Sequence, residues 1–192
     1  MPLARRLYLL PLCLGATLLM AEDAPAPSPK RSARTCTPSA FGATVQVSAP
    51  LRDLKESLDG RTGFGVGLQW TREHGEFHAS RTRMEFNVFP EGQPVGGVKT
   101  YAKDYLVSFD HLFRLGSGRR PYLAAGVGGV HWVLDQTAGS ASDRLRTTKL
   151  AFTAGLGWQL SERVNLEGRY VFSGIRKTFD ANTAQVSLGW RF

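Results

Sequence analysis

From Phe41 to Phe192 the chain repeatedly alternates apolar and polar residues. Successive side chains of a strand point to opposite faces, so alternation marks a strand with one apolar and one polar side. The last segment is the clearest: Ala184, Val186, Leu188, Trp190 and Phe192 share one face, and Gln185, Ser187, Gly189 and Arg191 the other. Residues 149–160 set Leu150, Phe152, Ala154, Leu156 and Trp158 against Lys149, Thr153 and Gln159. In 164–172, Val164, Leu166, Tyr170 and Phe172 oppose Asn165, Glu167 and Arg169. Upstream, Phe41, Ala43, Val45 and Val47 alternate with Gly42, Thr44, Gln46 and Ser48, and Phe64, Val66, Leu68 and Trp70 with Gly63, Gly65, Gly67 and Gln69. Thr82, Met84, Phe86 and Val88 alternate with Arg81, Arg83, Glu85 and Asn87. In 104–113, Tyr105, Val107, Phe109 and Phe113 face away from Asp104, Ser108 and Asp110. Tyr122 to Leu134 is strand-like, but its Gly and Ala content leaves its faces open.

The count is eight strands, joined by connections of alternating length. Short ones fall at 73–75, 116–119 and 161–163, and longer ones at 50–61, 90–97, 135–147 and 174–182. Leu51, Leu54 and Leu58 give the first long connection helical spacing. Pro50, Pro90, Pro94 and Pro121 lie in loops or at a strand start, as an unbroken ladder requires. The fold predicted is an all-β, eight-stranded antiparallel up-and-down barrel. Membrane barrels combine short periplasmic turns with longer external loops, which places both termini in the periplasm.

A soluble carrier barrel turns its apolar face inward and a membrane barrel turns it outward. The polar faces carry Arg81, Arg83, Glu85, Asp104, Asp110, Glu167, Arg169 and Arg191, with both signs intermixed, and this suits an ion-paired interior in a narrow barrel. Aromatic residues gather toward strand ends. Trp70, Trp158, Trp190, Tyr122, Phe113 and Phe192 fall near the periplasmic ends, and Phe64, Phe89, Tyr105 and Trp132 near the external ones. Aromatic girdles at both interfaces are a mark of bilayer-spanning barrels, and Trp70, Trp132, Trp158 and Trp190 are the expected interface tryptophans.

The N-terminal region supports export. Arg5 and Arg6 precede an apolar run from Leu7 to Met20, broken by Pro11 and shorter than the roughly 20 residues a spanning helix needs. Residues 1–21 read as a signal peptide cut after Ala21. Residues 22–40 hold four of the ten prolines and a basic cluster (Lys30, Arg31, Arg34), and read as a disordered periplasmic linker ahead of a barrel at 41–192. The chain has 192 residues, 42% of them hydrophobic, which excludes collagen-like and wholly disordered classes. Its two cysteines cannot build a disulfide framework, and Cys36 alone would remain after processing.

The strand AQVSLGWRF, ending in Phe192, and the segment RPYLAAGVGGVHW (120–132) resemble the small eight-stranded outer-membrane β-barrel proteins of Gram-negative bacteria, the outer membrane protein A/X-like barrels. The resemblance spans residues 41–192. It implies outer-membrane residence, and a role for Phe192 as a signal to the barrel-insertion machinery, without implying one activity.

The formal charge of +8 would suit an anionic partner, but the basic residues are spread over strands and loops of an exported chain, which argues against nucleic acid. GFGVGLQW (63–70) has the glycines of a phosphate loop but lies on a strand. No His, Cys or carboxylate cluster has metal-ligand spacing, and no cofactor is expected. His78 and Ser80 share one strand face, as a lipid-A-modifying enzyme would need, but lie beside a short turn away from the outer leaflet. The expected role is therefore non-catalytic and structural or surface-interactive, in a monomer whose external loops contact lipopolysaccharide or another partner. A lipid-A-modifying enzyme and a narrow channel are the alternatives.

Overall fold

The computed structural model describes residues 39–116, 121–176 and 179–192. The expected signal peptide at 1–21, nearly all of the expected linker, Cys36 and most of the expected turn at 116–119 lie outside the described residues. The strands are β1 (Ser39–Pro50), β2 (Gly63–Glu73), β3 (His78–Phe89), β4 (Lys99–Arg114), β5 (Pro121–Ala138), β6 (Ala141–Gln159), β7 (Val164–Phe172), β8 (Gly174–Arg176), β9 (Phe179–Asp180) and β10 (Thr183–Arg191), with one helix, α1 (Arg52–Ser57). Strands β1–β7 and β10 form a closed antiparallel barrel, sealed by β1 pairing with β10 from Gly42↔Arg191 to Pro50↔Thr183. Closure leaves no unpaired edge around the barrel wall, which a bilayer interior demands. β1 begins two residues before the expected barrel start, and its Ser39 and Ala40 pair with Arg72 and Thr71.

The alternation in sequence becomes a division between outside and inside. Val45, Val66, Leu68, Met84, Val107, Phe109, Leu150, Phe152 and Leu188 are exposed on the outer wall. Thr44, Gln46, Gln69, Arg81, Arg83, Glu85, Asp110, Asn165 and Glu167 are buried within. Large apolar side chains therefore cover the wall and charged ones fill the centre, the reverse of a water-soluble barrel and the arrangement of one solvated by lipid. No described helix is long and apolar enough to cross a membrane, and the apolar outer wall is built by strands.

β5 turns Tyr122, Ala124, Val130, Trp132 and Leu134 inward. Its glycines and those of β6 make room for larger interior groups. A Cβ on Gly157 would lie 2.1–2.4 Å from the Tyr122 ring, and one on Gly126 would lie 2.2 Å from Asp110 Oδ1.

The connection expected at 135–147 is a continuation of the sheet. β5 and β6 stay paired to Ala138↔Ala141, and β4 follows β5 to Lys99↔Thr137, whereas β7 leaves β6 at Phe172↔Phe152. Strands β4, β5 and β6 thus extend beyond the closed barrel. Asp135, Gln136, Ser142, Asp143 and Arg144 put polar groups at both parities of this extension. Without an apolar side the alternation that marks a half-buried strand is lost.

The loop end of the barrel is closed by an apolar layer. Leu54 and Leu58, from α1 and its C-terminal cap, are fully buried with Phe89, Leu106, Val130, Trp132, Leu134 and Ile175. Asp53 Oδ2 accepts from the Asp180 backbone N–H at 2.8 Å, which ties α1 to β9. Trp132, expected at the membrane interface, is therefore an interior residue with 1% exposure. Its indole N–H donates to Ser173 Oγ at 3.3 Å, and its ring lies 6.0 Å from Phe89. Phe89 and Tyr122 likewise turn inward rather than joining a girdle, whereas Trp70, Trp158, Trp190, Phe64, Tyr105, Phe113 and Phe192 face outward. For Trp132 and Phe89 the inward turn has a physical cause: α1 and the β8–β9 segment cover the mouth, so an inward aromatic ring is dry there. Tyr122, at the short-turn end, turns inward to donate to Glu167.

Candidate functional site

Three places concentrate chemistry: the interior, the outer face of the extended sheet, and the outer face at the short-turn end. In the interior, β3 supplies Arg81, Arg83 and Glu85 at alternate positions, so all three point to the axis. Glu167 of β7 receives both Arg81 Nη atoms at 2.8 and 3.0 Å, Arg83 Nη2 at 2.7 Å and the Tyr122 hydroxyl at 2.7 Å. Arg81 also donates to Asp110 at 3.1 and 3.3 Å, and Thr153 Oγ1 donates to the other Asp110 oxygen at 2.9 Å. Arg83 Nη1 reaches Glu85 at 3.2 Å, and Arg169 pairs with Glu85 and Gln185. Three guanidinium groups thus face three carboxylates, all with buried side chains.

Two further residues expected in this network lie apart from it. Asp104 is buried toward the capped end and accepts from Asn87 Nδ2 at 2.9 Å instead of from an arginine. Arg191 is at the short-turn rim, 3.7 Å from Glu73, which also pairs with Arg114. Arg114 Nη1 donates to the Glu76 carbonyl at 3.2 Å, closing over the turn between β2 and β3. Lys149, on the polar side of its segment, is exposed rather than part of the lining. Tyr122 and Glu73 were not expected in the interior, whereas Asn165, on the polar face of its strand, donates from Nδ2 to the Tyr122 hydroxyl at 3.1 Å. Tyr122 was hidden by its Gly- and Ala-rich strand, while the alternation itself pointed Asn165 inward.

On the outer wall, registered rows run across β4, β5 and β6. Val107, Gly129 and Leu150 belong to the apolar band. The next row toward the extension is Tyr105, His131 and Thr148, with His131 Nδ1 2.9 Å from Thr148 Oγ1. Beyond it Lys103 and Arg146 flank the buried Val133. Polarity on this one face changes from apolar through amphipathic to cationic within three rows.

At the short-turn end, the expected His78–Ser80 relation takes another form. Ser80 Oγ lies 2.7 Å from His74 Nε2, and His78 Nδ1 lies 3.3 Å from His111 Nε2. Among the described residues, no group of three or more His, Cys, Asp and Glu side chains forms a metal-holding set.

The architecture has solved counterparts. The attachment invasion locus protein Ail of Yersinia pestis is 17% identical with a TM-score of 0.60, over 80% of this chain and 97% of that one. The N-terminal β-barrel domain of Pseudomonas aeruginosa OprF is 11% identical with a TM-score of 0.54, over 79% and 97%. Neisserial surface protein A is 14% identical with a TM-score of 0.52, over 80% and 95%. These likenesses concern the fold, and the comparison with curated proteins returns no match. A family model, the outer membrane protein beta-barrel domain, matches residues 14–192, and this closed barrel belongs to that family of bacterial outer-membrane barrels.

Proposed function

We propose that this barrel is a non-catalytic surface element whose extended sheet and external loops engage lipopolysaccharide. The observation that carries the reading is the cationic row of Lys103 and Arg146, one row above Tyr105 and His131 on the lipid-facing wall. A phosphate of lipid A at the edge of the outer leaflet would meet these cations while its acyl chains lie along Val107, Gly129 and Leu150. This orientation puts the short turns and both termini of the barrel in the periplasm, reached by the leader at 1–21 and the basic, proline-rich linker after it. A monomer suffices for this contact, and Phe192, the residue that follows the closing strand, would serve the barrel-insertion machinery. The Ail protein of Yersinia pestis has been crystallised in complex with the heparin analogue sucrose octasulfate. A polyanion on a barrel of like fold is chemically akin to the phosphates invoked here.

Each cation close to an anionic membrane surface contributes about 1 kcal/mol. The double variant K103Q/R146Q should therefore bind lipopolysaccharide roughly 30-fold more weakly in detergent micelles, with little change for dephosphorylated lipopolysaccharide. Unchanged binding to the phosphorylated form would remove the reading. A channel has less support, because the charged interior and the Leu54–Leu58 layer fill successive levels of the lumen.

A further inference from the structure

We propose that His78 and His111 form a two-imidazole site for a divalent transition metal on the outer face of the barrel at its short-turn end. The two residues are 33 positions apart, so no local spacing announces them. The β3–β4 ladder brings them together: His78 is opposite Phe113 and His111 opposite Ser80, which makes the histidines diagonal neighbours on one face. Their nitrogens, His78 Nδ1 and His111 Nε2, are 3.3 Å apart. Two nitrogens bound at about 2.0–2.1 Å to a tetrahedral ion are separated by about 3.3–3.4 Å, so the pair already has the span of two ligands.

The surroundings favour this use. Phe113 packs against both rings, at 5.6 Å edge-on to His78 and 4.4 Å from His111, and keeps them side by side before any ion arrives. Without an ion one of the two nitrogens donates to the other; a change of tautomer frees the donor's lone pair, and the broad torsion at the ring bond lets both nitrogens turn to a common point. Ser80 is the ladder partner of His111 and holds His74 at 2.7 Å, so a hydroxyl and a third imidazole border the pair. A site of neutral imidazoles completed by water selects Zn2+, Cu2+ and Ni2+ over the oxygen-seeking Mg2+ and Ca2+; the observed span is that of tetrahedral Zn2+, and Cu2+, the ion with the highest intrinsic affinity, draws the rings about half an ångström closer to reach its tetragonal geometry. Metal held there would clamp β3 to β4 at the rim. The site is independent of the lipopolysaccharide reading and of the direction in which the barrel crosses the membrane.

The test is Cu2+ titration of the tag-free barrel, folded in detergent with its terminal amine acetylated, read by electron paramagnetic resonance. The expected result is one Cu2+ per chain with two imidazole nitrogens. H78Q and H111Q should each lower affinity about tenfold or more and leave one nitrogen in the spectrum. H131Q, at the other end of the wall, should match the parent, and H74Q should lower affinity less than either ligand variant. A shift in gel mobility on boiling checks that every variant is folded. Parent-like binding by H78Q/H111Q would overturn the proposal, as would loss of binding that follows H74Q alone.

Discussion

Replacing Glu167 by Gln should destabilise the barrel by about 3–5 kcal/mol, and removing Arg83 in the same chain should return most of that loss. Glu167 is buried and neutralises two guanidinium groups, Arg81 and Arg83, while accepting from Tyr122. Glutamine keeps the size and an acceptor for Tyr122 but leaves three arginines facing two carboxylates. An uncompensated buried charge is what makes breaking such a pair costly, at about 3–5 kcal/mol. In R83Q/E167Q the surviving cations each retain a partner, Arg81 with Asp110 at 3.1 Å and Arg169 with Glu85. Unfolding of both variants by denaturant from lipid vesicles checks this. Equal losses for the single and double variants would mean that the carboxylate acts by shape and hydrogen bonding rather than by charge.

The second large effect concerns the opposite face. Met84 lies in the middle of β3, 59% exposed, between Leu68 of β2 and Val107 of β4. With lipid as the surrounding solvent, M84R puts a guanidinium near the centre of the hydrocarbon layer, at a cost of about 2–4 kcal/mol. With water outside, an exposed Met→Arg change would stay within about 0.5 kcal/mol. Denaturant unfolding of M84R from vesicles, set beside the parent protein, distinguishes these values.

The faces of β1–β4, β7 and β10 were legible because each side of those strands meets a different medium. Arg81, Arg83 and Glu85 could point only away from the side of Met84 and Phe86. β5 was illegible where Ala124, Gly126 and Gly128 are too small to declare a preference, and this concealed Tyr122 as a partner of Glu167. The extension at 135–147 was illegible for the complementary reason, because polar residues at both parities give a strand no period. Trp132 was misplaced because an inward aromatic near a strand end resembles an interface residue. Only the fold shows that Leu54 and Leu58 make the mouth apolar. The His78–His111 pair depends on cross-strand register, which no single segment encodes.

The most direct test of the central claim, an apolar-out barrel embedded in the outer membrane, is the mobility of the protein from an outer-membrane fraction on a detergent gel, with and without boiling. A closed barrel wall leaves no edge at which detergent can open it, so the unboiled protein should run as a compact form and shift on heating. A single unshifted band, with the protein recovered from the soluble periplasmic fraction, would contradict the account.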